Sequence, residues 1–250
     1  MESVERKDMV TNRDIYDVGR LTARPDTEAK KADFKRGVQR LGLDDQKDGF
    51  LYVPDTYSQD KPAALAVMLH GAGAPAEQGL SLLQRYADAH NMILIAPASR
   101  EYSWDIIASD AFGADVIFID QALEQAFSRY HIDPTRIAIG GFSDGASYGL
   151  CLGLTNGDLF THLLAFSPGF AYTITTAGEP DVFISHGIKD AVLPVDPCSR
   201  RIVAQLQRRG LQVNYQEFNG AHEVPELIRR SGVDWFTGNN GSESRLTGND

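Results

Sequence analysis

Hydrophobic and polar positions alternate with two different periods between residues 49 and 236. Short runs rich in apolar and β-branched side chains are typical of buried strands, and longer amphipathic stretches are typical of helices. The predicted strands are 49–54, 64–70, 92–97, 136–141, 162–167, 181–186 and 212–218. The predicted helices are 79–90, 113–130, 144–155, 197–209 and 224–235. This alternation predicts an α/β fold with a mostly parallel central sheet and helices on both faces.

Residues with strong preferences for helix ends mark some of these boundaries. Asp196 offers a capping carboxylate, and Pro197 suits the first helical position. Asn156-Gly157 and Gly210 favour helix termination, because Asn and Gly accept the left-handed backbone of a helix end.

The two ends of the chain differ from the region between them. Residues 1–48 carry 11 basic and 11 acidic side chains, which predicts a charged N-terminal arm or an edge element. Residues 237–250 contain a single large apolar side chain, which predicts a disordered tail. Residues 49–236 are therefore the predicted folded domain. We expect this domain to contain little or no cap domain, meaning a long insertion between its strands and helices.

Charge and cysteine content narrow the class of protein. With 24 Lys and Arg against 34 Asp and Glu, the net charge of −10 disfavours nucleic acid or an anionic membrane as a partner. No apolar run approaches the roughly 18 residues of a membrane span, and the charged first residues do not resemble a secretory signal. Two cysteines are too few for a disulfide framework. We expect a cytoplasmic protein, either a monomer or a homodimer.

A Gly-Phe-Ser-Asp-Gly motif at 141–145 lies between a predicted strand and a predicted helix. This is the context of a nucleophile elbow, in which a strained turn presents a serine hydroxyl and small flanking residues avoid collisions. Ser143 is the candidate nucleophile. The alternative is that Ser143 is an ordinary polar residue at a helix start.

A serine hydroxyl needs a base and a group that orients the base, and candidates follow in the order Ser, acid, His. Asp190 follows the strand 181–186 and emerges at the carboxyl edge of the sheet, where active sites of open α/β folds lie. Asp196 is the rival acid, although its place at a helix start explains it without a catalytic role. His222, on the loop after the last strand, is the candidate base. His186 is expected to brace the Asp190 loop.

A second glycine-rich loop follows the strand 64–70 and contains Gly71, Ala72 and Gly73. Small residues there let backbone N–H groups approach a developing oxyanion. We expect Ala72 and Asp144 to supply these donors, with Gly71 and Gly73 beside the substrate. The loop lacks the lysine and spacing of a phosphate-binding loop, and the chain lacks a zinc-type ligand pattern, so no metal or cofactor is expected.

Four segments together resemble the α/β-hydrolase superfamily, and within it the phospholipase/carboxylesterase group that includes acyl-protein thioesterases. They are 69–73, 141–145, 186–194 and 220–222, and the resemblance extends over about 49–236. The strand ending Tyr52-Val53-Pro54 is also similar to polyhydroxybutyrate depolymerase-like and feruloyl esterase-like proteins. Acyl-protein thioesterases usually have Gln where this chain has Asp144, so long-chain acyl-protein substrates are not expected.

The resemblance implies a serine carboxylesterase that hydrolyses small or short-chain esters, or thioesters, through an acyl-enzyme. Loops at the carboxyl edge are expected to line the substrate pocket, with the aromatic residues Trp104 and Phe170 as candidates. Ordinary packing under a loop explains those aromatics equally well. A non-catalytic ligand-binding protein and a serine peptidase are the alternative functions.

Overall fold

The computed structural model describes residues 15–26 and 33–238. An eight-stranded sheet has the order β1-β2-β4-β3-β5-β6-β7-β8. Its strands are β1 (Gly37–Arg40), β2 (Gly49–Val53), β3 (Ala63–Leu69), β4 (Met92–Pro97), β5 (Ile132–Phe142), β6 (His162–Phe166), β7 (Asp181–Gly187) and β8 (Val213–Phe218). Only the β1–β2 and β2–β4 pairs are antiparallel. Of the predicted tail, 237–250, only Thr237 and Gly238 are described, and the rest lies outside the described residues. Residues 1–14 and 27–32 of the predicted arm also lie outside them.

Helices cover both faces of the sheet. They are α1 (Ala76–Ala87), α2 (Asp105–Ala108), α3 (Ala114–Arg129), α4 (Asp144–Thr155), α5 (Arg201–Arg208) and α6 (Glu226–Thr237). Two apolar layers result, because α1 and α6 pack on one face while α3, α4 and α5 pack on the other. The predicted mostly parallel α/β architecture is confirmed. Among the described residues, no helix has the length and apolar content to cross a membrane.

Strand order positions the loops that carry the candidate site. Strands β5, β6, β7 and β8 are adjacent and parallel, so their carboxyl ends meet at one edge of the sheet. The loops after β5, β7 and β8 carry Ser143, Asp190 and His222, respectively. Ligand sites of open α/β sheets form at this edge.

Part of the N-terminal region packs against the rest of the fold. Leu21 is buried, and its N–H donates to Asn156 Oδ1 at 2.9 Å. The Arg20 guanidinium reaches Asp158 at 2.7 Å beyond the end of α4. Because β1 adds an edge strand to β2, the folded unit includes residues on the N-terminal side of Gly49.

The structure differs from the sequence prediction at one helix start. Residues Asp196–Arg200 form a π-helical turn that leads into α5, and Asp196 makes no capping hydrogen bond. Its carboxylate instead accepts a hydrogen bond from Arg200 Nη1 at 2.8 Å. The predicted capping role of Asp196 is therefore wrong, because an ion pair within the turn engages the side chain.

Candidate active site

Ser143 occupies a sharp turn between β5 and α4. Its φ of 57° and ψ of −121° lie outside the usual regions for a residue with a side chain. A Cβ at Gly141 or at Gly145 would overlap the Leu69 carbonyl oxygen, so the turn requires glycine on both sides. The Ser143 N–H donates to the Phe166 carbonyl at 3.0 Å, which ties the turn to the end of β6.

His222 connects Ser143 to Asp190. Its Nε2 lies 2.9 Å from Ser143 Oγ, and its Nδ1 lies 2.6 Å from Asp190 Oδ2. The Phe142 ring packs against the imidazole with ring centroids 4.6 Å apart. The structure thus brings together the three residues that sequence order suggested, with His222 at hydrogen-bonding distance from both Ser143 and Asp190.

The Asp190 carboxylate is held by its own loop. Its Oδ1 accepts hydrogen bonds from the backbone N–H groups of Val192 and Leu193, at 2.9 and 2.8 Å. Burial raises the pKa of Asp190, but hydrogen bonds from His222, Leu193 and Val192 outweigh it and hold this pKa below its ordinary value. The group is therefore an anion at neutral pH, suited to orient an imidazole.

His186 lies beneath this loop and is fully buried. Its Nε2 donates to the Leu193 carbonyl at 2.7 Å and lies 3.2 Å from Asp190 Oδ2, while its Nδ1 accepts from Ser199 Oγ at 2.6 Å. Burial lowers the pKa of His186, so the ring is neutral. These contacts fix the tautomer and brace the loop that carries Asp190.

The glycine-rich loop after β3 runs beside Ser143. A Cβ at Gly71 would lie 3.4 Å from Ser143 Cβ. Within the loop, the Gly71 N–H donates to Gln78 Oε1 and the Gly73 N–H to the Tyr102 carbonyl, each at 2.7 Å. Among the described residues, no hydrogen bond uses the backbone N–H of Ala72 or that of Asp144.

Trp104 does not line the site. Its side chain is fully buried, stacks on Tyr148 with ring centroids 5.2 Å apart, and donates from Nε1 to the His70 carbonyl at 2.9 Å. The prediction that Trp104 contacts substrate is therefore wrong, because its side chain packs behind the glycine-rich loop. The packing alternative stated for this residue in the sequence analysis is the one that the structure shows, and the sequence pattern by itself did not distinguish the two.

Two neighbouring cavities lie along the segment 101–110, and one of them includes Asp144, the residue after Ser143, in its wall. The larger, of about 650 Å³, is lined by Glu101, Tyr102, Ser103, Ile107, Ala108, Ser109 and Asp144. The smaller, of about 450 Å³, is lined by Ile106, Ile107, Asp110, Phe170 and Tyr172. Ile107 belongs to both walls, and Phe170 is half-buried in the second. Phe170 therefore lines a cavity that adjoins the one with Asp144 in its wall.

Two buried carboxylates hold the segment that forms these walls. Asp115 accepts hydrogen bonds from the backbone N–H groups of Arg100 and Asp105, both at 2.7 Å. Asp105 in turn accepts from the N–H groups of Gly113 and Asp115, at 2.8 and 3.0 Å. The pair therefore closes the loop that contains α2 and its two cavity-lining isoleucines.

Burial and the neighbouring Asp105 carboxylate raise the pKa of Asp115 to about 7. The folded state then binds a proton that the unfolded state releases near pH 4, so ionising Asp115 destabilises the fold as pH rises from about 4 to 7. Asp115→Asn removes this titration. We expect the free energy of unfolding of the variant, measured relative to that of the original protein, to increase by about 1–3 kcal/mol from pH 5 to pH 8, because only the original protein loses stability over this range. Urea unfolding at both pH values measures it, and a constant difference would contradict it.

Comparisons with known proteins agree with the sheet order and the sharp turn at Ser143, which together give the chain an α/β-hydrolase fold. A family model described as Phospholipase/Carboxylesterase matches residues 109–227. The crystal structure of esterase PE8 superposes with a TM-score of 0.61 at 20% identity, over 75% of this chain and 96% of that one. This likeness shows the fold.

Sequence relatives are fungal esterases. A probable feruloyl esterase C of Aspergillus flavus is 27% identical over 175 residues, covering 67% of this chain and 62% of the relative. An acetylxylan esterase of Coprinopsis cinerea is 27% identical over 184 residues, covering 68% of this chain and 46% of the relative. The chain thus spans less than two thirds of the length of either relative. Its similarity to feruloyl esterases agrees with the resemblance noted in the sequence.

Proposed function

We propose that this protein is a serine carboxylesterase that cleaves small or short-chain carboxylic esters, with thioesters as a second substrate type. The observation that carries the proposal is the hydrogen-bonded row of Ser143, His222 and Asp190, with distances of 2.9 and 2.6 Å. Esterases among the sequence relatives support the same reaction class.

In the proposed acylation step, Ser143 Oγ attacks the ester carbonyl carbon while His222 Nε2 takes the hydroxyl proton. Asp190 keeps the other imidazole proton on Nδ1, which leaves Nε2 free to accept. Collapse of the tetrahedral intermediate breaks the bond to the alcohol oxygen. His222 returns the proton to the leaving alcohol, and the acyl group remains on Ser143.

Deacylation repeats these proton transfers with water as the nucleophile. His222 Nε2 takes a proton from the water as it attacks the acyl carbon, and then gives that proton to Ser143 Oγ. The carboxylic acid leaves, and the enzyme returns to its starting state. His222 thus serves as the base in both steps without moving, because its imidazole lies between Ser143 and Asp190.

The Ala72 and Asp144 N–H groups are the proposed oxyanion donors. A donor of this kind contributes about 2.7–4 kcal/mol to lowering the barrier. Two observations support the assignment. Gly71 lies against Ser143, and neither N–H donates a hydrogen bond within the described part of the chain. The Ser143 N–H is engaged by Phe166 and is therefore not a candidate.

A fluorophosphonate probe and an acyl-length series test the proposal. We expect one adduct on Ser143 by mass spectrometry. We also expect kcat/KM for p-nitrophenyl esters to fall at least about tenfold from butyryl to palmitoyl, since both cavities are open to solvent and would leave much of a long chain exposed. No adduct and no ester turnover would favour a ligand-binding role. Faster cleavage of butyryl p-nitroanilide than of p-nitrophenyl butyrate would favour a peptidase.

A further inference from the structure

Asp144 places a carboxylate in the wall of the cavity of about 650 Å³, one residue after the proposed nucleophile. Ser103 Oγ donates to Asp144 Oδ2 at 2.5 Å, which fixes the side chain against the segment that forms much of the same wall. The carboxylate is half-buried, so water screens its charge only in part.

No positive charge balances this carboxylate in the cavity. Glu101 contributes a second acidic side chain to the same wall, and Asp110 lines the adjoining cavity. Neither wall contains Lys, Arg or His, and no ion pair within residues 15–26 and 33–238 involves Asp144 or Glu101.

Basic side chains close to the segment that forms the cavity wall have other partners. The Arg100 guanidinium pairs with Asp44 at 3.0 Å, and the Lys47 ammonium donates to the Arg100 carbonyl. His70 lies behind the loop, where burial lowers its pKa and keeps the ring neutral. The charge presented to a substrate in the larger cavity is therefore negative.

We propose that Asp144 is a specificity-determining residue that selects substrates by charge, favouring cationic esters and disfavouring those with a carboxylate near the reacting carbonyl. The inference rests on the proposed esterase function. A substrate charge a few ångströms from Asp144, at the dielectric of a partly solvated cleft, changes binding by about tenfold per unit charge. The same field acts in opposite directions on the two kinds of substrate.

Three p-nitrophenyl esters of similar length test this proposal: the hexanoate, the glutarate monoester and the 4-(trimethylammonio)butanoate. These are neutral, anionic and cationic, respectively. We expect the original protein to show a higher kcat/KM for the cationic ester than for the anionic one. In Asp144→Asn, which retains the backbone N–H and the side-chain size, we expect the cation-to-anion ratio to fall about a hundredfold, that is, about tenfold for each of the two substrate charges. Raising salt from 0.02 to about 0.5 M should lower the ratio in the original protein only.

Asp234→Asn is the matched control, since this carboxylate lies on α6 and belongs to neither cavity wall. Its ratio should equal that of the original protein. If Asp144→Asn leaves the ratio unchanged while all three esters are hydrolysed, the charge proposal is wrong and the esterase proposal stands. If no ester is hydrolysed by the original protein, the esterase proposal itself fails.

Discussion

Replacing Ser143 with alanine is expected to lower kcat/KM for p-nitrophenyl butyrate by about 10⁴-fold or more. The substitution removes the attacking oxygen and leaves the imidazole without its 2.9 Å partner. Backbone donors and substrate binding remain, so the residual rate should still exceed that in water. Steady-state kinetics measure the loss, and fluorophosphonate labelling should disappear with it.

Ser128→Ala is the matched control for this prediction. Ser128 is exposed on α3, where its hydroxyl donates only to the Gln125 carbonyl within the helix. Activity within about twofold of the original protein is expected for this variant. The circular dichroism spectrum of Ser143→Ala should match that of the original protein. Turnover by folded Ser143→Ala at the original rate would remove Ser143 from the mechanism.

Replacing Asp190 with asparagine is expected to lower kcat by about 10³–10⁴-fold. An asparagine oxygen can still accept the N–H groups of Val192 and Leu193, which turns the amide nitrogen toward His222 Nδ1. The amide then donates to Nδ1, so the imidazole carries its proton on Nε2. That tautomer cannot take the proton from Ser143.

Asp196→Asn tests the rival acid with the same chemical change. Asp196 is exposed and pairs with Arg200 in the turn before α5, away from the imidazole. Its loss should leave kcat within about twofold of the original value. An Asp196 variant that loses more activity than the Asp190 variant would reverse the assignment of the acid.

Much of the architecture follows from local sequence. Strand β4 and helix α4 have their predicted bounds, because a wholly apolar run and a glycine-flanked helix start are strong local signals. The residues placed together at the sheet edge were also identifiable, since each follows a predicted strand. Parallel strands carry such residues to one edge without further information about side-chain packing.

Other features depend on contacts that a sequence does not display. Strand β1 has four residues with alternating exposure and no apolar run, and α2 is too short for a helical period. The mutual support of Asp105 and Asp115 requires a loop to fold back on itself. The sequence left Trp104 either in the pocket or packed under a loop, and the choice depends on a contact between loops, in which its indole N–H donates to the His70 carbonyl.

The docking of residues 15–26 has a practical consequence for anyone who trims this chain. Asn156, at the carboxyl end of the helix that begins beside Ser143, accepts from the Leu21 N–H and donates to the Gly19 carbonyl. Excising everything before Gly49 would uncover an apolar surface on that helix and strip two partners from one amide. Expression boundaries chosen from family resemblance alone would therefore cut through the protein's own interior.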